Sequence, residues 1–117
     1  AAQFAQALKQ GSEAAYKAVM KPKEGTILTV ARVVADKAVE NAAQGANIFR
    51  LVDQMIEDGE KILSQTPNML PVLKEACVVD SGGKGLLMVY RGYKMSLDGE
   101  EVPEEELTIE EKVSIDR

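Results

Sequence analysis

The sequence contains no histidine, no tryptophan and a single cysteine, Cys77. One thiol cannot form a disulfide within the chain, and without histidine the nitrogen ligands of most zinc sites are missing. Hard cations with oxygen ligands, such as Mg²⁺, are therefore the metals that remain to be considered. Cys77 lies among apolar neighbours with no base beside it, so we expect a buried and unreactive thiol rather than a nucleophile.

Aromatic residues and long apolar stretches are also scarce. Two Phe and three Tyr are the only aromatic residues among 117, and this composition suits close helix packing better than a β-sandwich. No apolar run approaches the ~20 residues that a membrane span requires, and the sequence shows no signal-peptide pattern. These features predict one cytoplasmic, all-α domain with a single core.

The net charge of −5 is unevenly distributed along the chain. Residues 98–117 hold nine acidic and two basic side chains, against ten acidic and twelve basic ones in residues 1–97. Basic side chains are not clustered as a nucleic-acid-binding surface requires, so we expect no nucleic acid partner. Residues 1–97 are predicted to form the folded unit, and residues 98–117 an acidic linker towards a following domain. Polar and apolar residues alternate after Pro103, which leaves an edge strand of that domain as a second interpretation.

Apolar residues recur at helical spacing through most of the chain. The first predicted helix covers residues 1–20, and the second runs from Thr26 to Ala43. Thr26 or Gly25 can cap the second helix, and Gly45 is expected to end it. The composition and the periodicity therefore agree on a helical fold.

The third predicted helix has the clearest apolar stripe. It follows Asn47, the expected N-cap, and extends to about Gln65. Thr66 and Pro67 have the pattern of an N-cap and a first helical residue, so we expect a separate short helix to begin there and to end near Ala76. The next four residues, Cys-Val-Val-Asp, are too few for periodicity and are predicted to be extended chain.

The stretch Asp80-Ser81-Gly82-Gly83 places one carboxylate and two glycines at the start of the last predicted helix, which runs to about Leu97. Free N–H groups at a helix start, unhindered by side chains, suit a phosphate. The same residues also suit an ordinary capped helix, and local spacing alone favours that simpler interpretation. The stretch matches neither the P-loop nor the G-x-G-x-x-G spacing.

A second glycine-bearing helix start lies between Lys21 and Thr26. The Thr26 hydroxyl and the amides around Gly25 could hold an anion there. Taken alone this signal is weak, because capped helix starts are common in proteins.

The two stretches together carry a resemblance to a known family. AYKAVMKPKEGTILTVAR, followed about forty residues later by LPVLKEACVVDSGGKGL, resembles the DhaL-type nucleotide-binding domain of the bacterial fatty acid kinase family, which is related to dihydroxyacetone kinases. The resemblance covers residues 1 to about 97. It implies an antiparallel up-and-down barrel of about eight helices that binds ATP at one end, of which this chain supplies the later helices. The sugar kinase branch would carry Gly-Asp-Lys-Thr where this chain has Glu24-Gly25-Thr26.

The resemblance also implies the residues of a nucleotide site. Six residues that match the family's motifs are expected to contact the nucleotide: Gly25, Thr26, Asp80, Ser81, Gly82 and Gly83. It implies Mg²⁺ as well, but the Asp-Gly-Asp loop that holds the metal in the family is missing here, so its ligands are expected upstream of this chain. No catalytic residue is assigned, and we expect the 117 residues alone to bind nucleotide weakly and to be inactive.

The activity implied by the resemblance is phosphoryl transfer from ATP to a fatty acid presented by a DegV-type carrier protein, which gives an acyl phosphate. One alternative is a subunit of a dihydroxyacetone or related polyol kinase. Another is a non-catalytic helical module that packs with itself, as a homo-oligomer, or with another part of the protein. Cys77 departs from the family pattern, since relatives commonly have glycine there; its side chain costs little if its φ is negative.

Overall fold

The computed structural model describes residues 1–99, which fold into five α-helices. They are α1 (Ala2–Ala18), α2 (Ile27–Ala43), α3 (Ile48–Met69), α4 (Pro71–Ala76) and α5 (Ser81–Leu97). No strand occurs within these residues, so the all-α prediction is confirmed. In the same part of the chain no helix is long and apolar enough to cross a membrane. The predicted acidic linker falls outside the described residues, apart from its first two positions.

Helices α1 and α2 run antiparallel. The Lys9 ammonium of α1 lies 3.9 Å from the Asp36 carboxylate of α2. Tyr16 lies two turns after Lys9 in α1, and its hydroxyl accepts a hydrogen bond of 3.2 Å from Nε of Arg32. Arg32 lies one turn before Asp36 in α2. The two helices therefore pair in opposite directions, as an up-and-down arrangement requires.

Helix α3 runs antiparallel to α5 and packs against both α5 and α2. Gly59 of α3 lies against Leu87 of α5 and Val34 of α2. Four residues later in α3, the Leu63 side chain reaches Gly83, which lies four residues earlier in α5. The four long helices consequently alternate in direction, and the short α4 carries the chain from α3 to α5.

The core lies where α2, α3 and α5 meet, and it is built mainly of aliphatic side chains. The largest completely buried apolar side chains are Val30, Val34, Leu51, Val52, Met55 and Leu87. Burial of each such side chain stabilises the fold by roughly 1.5–3 kcal/mol relative to an exposed position. Helix α1 adds the buried Ala5 and covers one side of α2.

The caps predicted for the second, third and last helices are confirmed. Thr26, Asn47 and Asp80 each precede a helix and accept a hydrogen bond from an amide of its first turn. Gly45 follows the end of α2 with a φ of 95°, a left-handed conformation that glycine adopts at little cost. Side-chain caps of this kind typically contribute about 1 kcal/mol each, so they define where the helices begin.

The predicted helix start at Thr66 is wrong. Helix α3 continues through Thr66 and Pro67 to Met69, and α4 begins instead at Pro71. A proline inside a helix normally leaves the carbonyl four residues earlier without its donor. Here that carbonyl, on Leu63, accepts a hydrogen bond from the Thr66 hydroxyl at 2.7 Å. The pair Thr-Pro therefore continues the helix instead of starting one.

The expectation that Cys77 is buried is also wrong, and its φ is not negative. Its side chain is exposed, and its backbone is left-handed, with φ 57° and ψ 41°. It ends α4, where the following amide, on Val78, donates to the carbonyl of Leu73 at 3.1 Å. This turn requires a left-handed residue and turns the thiol outwards, which the apolar neighbours in the sequence did not indicate. The conformation explains why glycine suits this position.

Substitution of Gly59 by Ala is expected to lower the free energy of unfolding by about 1 kcal/mol. The new Cβ would overlap Leu87 Cδ2, and the Leu87 side chain is buried in the core, where it has little room to move. This crowding outweighs the gain of about 1 kcal/mol that Ala has over Gly inside a helix. Gly92→Ala is the matched control, because nothing lies within 4 Å of its Cβ position. Urea denaturation should separate the two variants, and equal stabilisation by both would contradict the close packing at Gly59.

Candidate functional site

The two predicted helix starts lie side by side at one end of the helix bundle. A Cβ at Gly82, in the first turn of α5, would lie 3.3 Å from the Cβ of Ile27, the first residue of α2. Gly25 and Asp80, on the loops that lead into these helices, both approach Thr66 at the end of α3. The six predicted site residues are therefore close in space although they are far apart in the sequence.

Thr66 joins the two loops and is completely buried. Its hydroxyl accepts a hydrogen bond from the Asp80 amide at 3.1 Å, while its carbonyl lies 3.0 Å from the Cβ position of Gly25. Gly25 has a φ of +84°, and a Cβ there would also collide with Leu70. Glycine is thus required at position 25 both by conformation and by the close approach of α3.

The start of α5 is shaped by Asp80 and two glycines. The Asp80 carboxylate accepts a hydrogen bond from the Gly83 amide at 2.8 Å. A Cβ at Gly83 would lie 2.9 Å from Val30 and 3.0 Å from Leu63, so no larger residue fits between the three helices. The amides of the first helical turn have no acceptor within the helix, and Asp80 provides one for Gly83. The Ser81 and Gly82 amides, which precede Gly83 in this turn, have no acceptor within the helix.

The start of α2 is held by hydroxyl groups on both sides of Gly25. The Thr26 hydroxyl donates to the Lys23 carbonyl at 2.8 Å and accepts from the Leu28 amide at 3.3 Å. The Gly25 amide donates to the hydroxyl of Thr29, a fully buried residue in the first turn of α2, at 2.8 Å. The backbone of this loop is therefore fixed before any ligand binds.

A charged cluster fixes the residue before Gly25. The Glu24 carboxylate accepts a hydrogen bond from the Tyr16 hydroxyl at 2.8 Å and forms an ion pair with Arg32. Burial raises the pKa of Glu24, but the hydrogen bonds from Tyr16 and Arg32 and the Arg32 charge outweigh it and lower the pKa below its ordinary value. The cluster links α1 and α2 to the loop that carries Gly25.

Electrostatics at this end of the bundle favour an anion. The N-terminal ends of α2 and α5 each carry a partial positive charge of roughly half a unit, and here the two ends are adjacent. Lys23 and Lys84 are exposed close to the two helix starts in the sequence. Among residues 1–99 there is no group of three or more acidic or thiol side chains that could hold a metal ion.

Sequence reasoning missed the residues that hold the two loops in place. Thr29 and Thr66 are buried threonines. Thr29 has no motif of its own, and the Thr66-Pro67 pattern indicated a helix start instead. Thr66 has a signal in retrospect, because a threonine directly before a proline can donate to the carbonyl that the proline leaves without a donor. Glu24 was part of the motif that carried the resemblance, but its partners Tyr16 and Arg32 are revealed only by the packing of α1 on α2.

Comparison with known families matches the DAK2 domain to residues 1–95. The chain belongs to the DAK2 domain family. Members are dihydroxyacetone-kinase-like nucleotide-binding domains, which confirms the DhaL-type resemblance. The match covers all five helices except the last two residues of α5.

Relatives of this DAK2 domain occur in longer bacterial proteins. Protein YloV of Bacillus subtilis is 56% identical over 104 residues, which cover 89% of the chain and 19% of YloV. An uncharacterized protein of Staphylococcus saprophyticus is 53% identical over 102 residues, which cover 87% of the chain and 18% of that protein. One of Staphylococcus haemolyticus is 50% identical over 115 residues, or 97% of the chain and 21% of that protein. The chain thus spans about a fifth of the length of these curated relatives.

The lowered pKa of Glu24 predicts a pH-dependent contribution to stability. Because the folded-state pKa lies below the ordinary value of 4.5, this contribution is complete above that value and is lost as the pH falls through the folded-state pKa. The carboxylate is about half exposed, so solvent screening keeps the effect below about 1 kcal/mol. The melting temperature of Glu24→Gln should therefore fall less than that of the unchanged protein between about pH 6 and about pH 3.

Glu57→Gln, which alters an exposed carboxylate of α3, is the matched control for this pH series. Its melting temperatures should follow those of the unchanged protein across the acid range. A Glu24→Gln profile parallel to that of the unchanged protein would contradict the role of the Tyr16 and Arg32 contacts.

Proposed function

We propose that the paired helix starts form a nucleotide-binding site in which backbone amides contact the phosphates of ATP. The residues that form it are Gly25 and Thr26 on one side and Asp80, Ser81, Gly82 and Gly83 on the other. The amides of Gly25, Asp80 and Gly83 already donate to side chains of the protein, so the amides of Thr26, Ser81 and Gly82 would contact the phosphates. The observation that carries the proposal is the juxtaposition of two helix N-termini, one at each glycine-bearing motif, in a DAK2 domain.

The physical support for this proposal is electrostatic and steric. Two adjacent positive helix ends repel each other, and an anion between them removes that cost. Gly82 adds no side chain at the start of α5, so a phosphate can approach the amides of Ser81 and Gly82 closely. Lys84, in the same turn, supplies an exposed positive charge. Since α2 and α5 are fixed by the core, the site needs little rearrangement to bind its ligand.

For the full-length protein we propose an ATP-dependent phosphotransferase that acts on a fatty acid held by a DegV-type carrier. An oxygen of the fatty acid carboxylate attacks the γ-phosphorus, the bond from that phosphorus to the bridging oxygen breaks, and acyl phosphate and ADP result. The sequence Glu24-Gly25-Thr26, where the sugar kinase branch has Gly-Asp-Lys-Thr, supports the fatty acid acceptor.

Within this scheme the chain binds and orients the nucleotide. We propose that residues 1–97 are the later part of the nucleotide-binding domain and that residues 98–117 connect it to the next one. Mg²⁺ bound to ATP would offset its negative charge, with ligands from outside residues 1–99. The residues described here hold the triphosphate through amides and exclude side chains from the space it occupies.

Calorimetric titration of the full-length protein with Mg-ATP tests the site. Asp80→Ala should raise the Kd about fivefold, because loss of the cap frees the first turn of α5 that presents the amides. Asp80→Asn is the matched control, since an asparagine oxygen can still accept from the Gly83 amide, and it should bind nearly as well as the unchanged protein. An equal Kd for the unchanged protein and Asp80→Ala would show that Asp80 does not contribute to the site.

The acceptor is tested by incubating the full-length protein with ATP and either a carrier-bound fatty acid or dihydroxyacetone. We expect phosphate transfer to the fatty acid only, measured as acyl phosphate trapped with hydroxylamine. Transfer only to dihydroxyacetone would contradict the fatty acid proposal and support the polyol kinase. A protein that binds no nucleotide at all would fit the non-catalytic helical module.

A further inference from the structure

The Thr66 side chain makes two hydrogen bonds with different consequences. Its hydroxyl donates to the Leu63 carbonyl at 2.7 Å and accepts from the Asp80 amide at 3.1 Å. The first bond lies within α3, where it replaces the donor that Pro67 lacks. The second crosses to the loop before α5, so one oxygen atom connects the end of α3 with the cap of α5.

We propose that Thr66 is a positioning residue of the nucleotide site, an inference that rests on the proposed function. Through its hydroxyl it fixes the backbone of Asp80, and Asp80 in turn holds the Gly83 amide at 2.8 Å. The direction of the first-turn amides of α5 therefore depends on a side chain that does not touch the ligand. Through its carbonyl the same residue limits how closely Gly25 and α2 can approach.

Burial makes the hydroxyl of Thr66 important for this role. The residue is 0% exposed, so water cannot take over either hydrogen bond if the oxygen is removed. Valine has nearly the same shape and would leave the Leu63 carbonyl and the Asp80 amide without a partner. Serine keeps the oxygen and removes only a methyl group. The two substitutions thus separate the hydrogen bonds from the packing.

A substitution at Pro67 allows the effects of the two Thr66 hydrogen bonds to be measured separately. Replacement of Pro67 by alanine restores an N–H that can donate to the Leu63 carbonyl within α3. In the double variant Thr66→Val/Pro67→Ala the helix bond is therefore supplied by the backbone, whereas the bond to Asp80 remains lost. If Thr66 only completed the hydrogen bonding of α3, the Pro67→Ala change would compensate for its loss. If Thr66 also positions Asp80, the loss of nucleotide binding would remain.

The test uses the full-length protein and measures both thermal unfolding and the Kd for Mg-ATP. Thr66→Val should lower the melting temperature and raise the Kd about fivefold. Thr66→Val/Pro67→Ala should recover most of the melting temperature but keep the raised Kd. Thr66→Ser should bind within about twofold of the unchanged protein.

Three results would overturn the inference. The first is a Kd for Thr66→Val or for the double variant equal to that of the unchanged protein. The second is weakened binding by Thr66→Ser, which is informative even if the valine variants do not fold. The third is absence of Mg-ATP binding by the unchanged protein, which would overturn the proposed function and this inference with it. The first titration of the series, on the unchanged protein, distinguishes this result from the other two.

Discussion

The close approach of α2, α3 and α5 at three glycines is the constraint on which the rest of the structure depends. At Gly25, Gly59 and Gly83 a Cβ would overlap atoms of a neighbouring element. Aliphatic side chains fill the space between the helices, and the glycines set how near the backbones come. Because α2 and α5 both pack against α3 in this way, their N-terminal ends are adjacent, and the candidate site is a direct result of core packing.

Adjacent helix N-termini are unfavourable unless negative groups or ligands lie near them. Two carboxylates provide part of this compensation: Asp80 caps α5, and Glu24 precedes the start of α2. Glu24 pairs with Tyr16 and Arg32 and also interacts with Thr29, so its negative charge lies at the start of α2. The two positive helix ends are thus partly compensated within the protein.

Most of the helices were predictable because their signals are local. Apolar spacing and the caps at Thr26, Asn47 and Asp80 are contained within a few residues of sequence, and the helices begin where these predict. The errors at Thr66 and Cys77 have tertiary causes. Thr66 resembles an N-cap, yet its hydroxyl bonds to Leu63 and Asp80 because α3 and α5 pack together. The position of Cys77 is set by the turn that brings α5 back against α3, and apolar neighbours carry no information about that turn.

The sequence alone left two interpretations of the glycine motifs, a plain capped helix or a phosphate contact, and the structure explains why both suit the same residues. Gly83 is required by the contact with Val30 and Leu63, and Gly25 by the contact with α3, so a structural role is sufficient to account for each. The space beside each of these two glycines is filled by its neighbours in the core, so the proposed phosphate contact depends on Thr26, Ser81 and Gly82 next to them. The buried hydroxyl of Thr66 is more informative, because it bonds the Asp80 amide of one motif to the end of α3, a contact that packing alone does not explain.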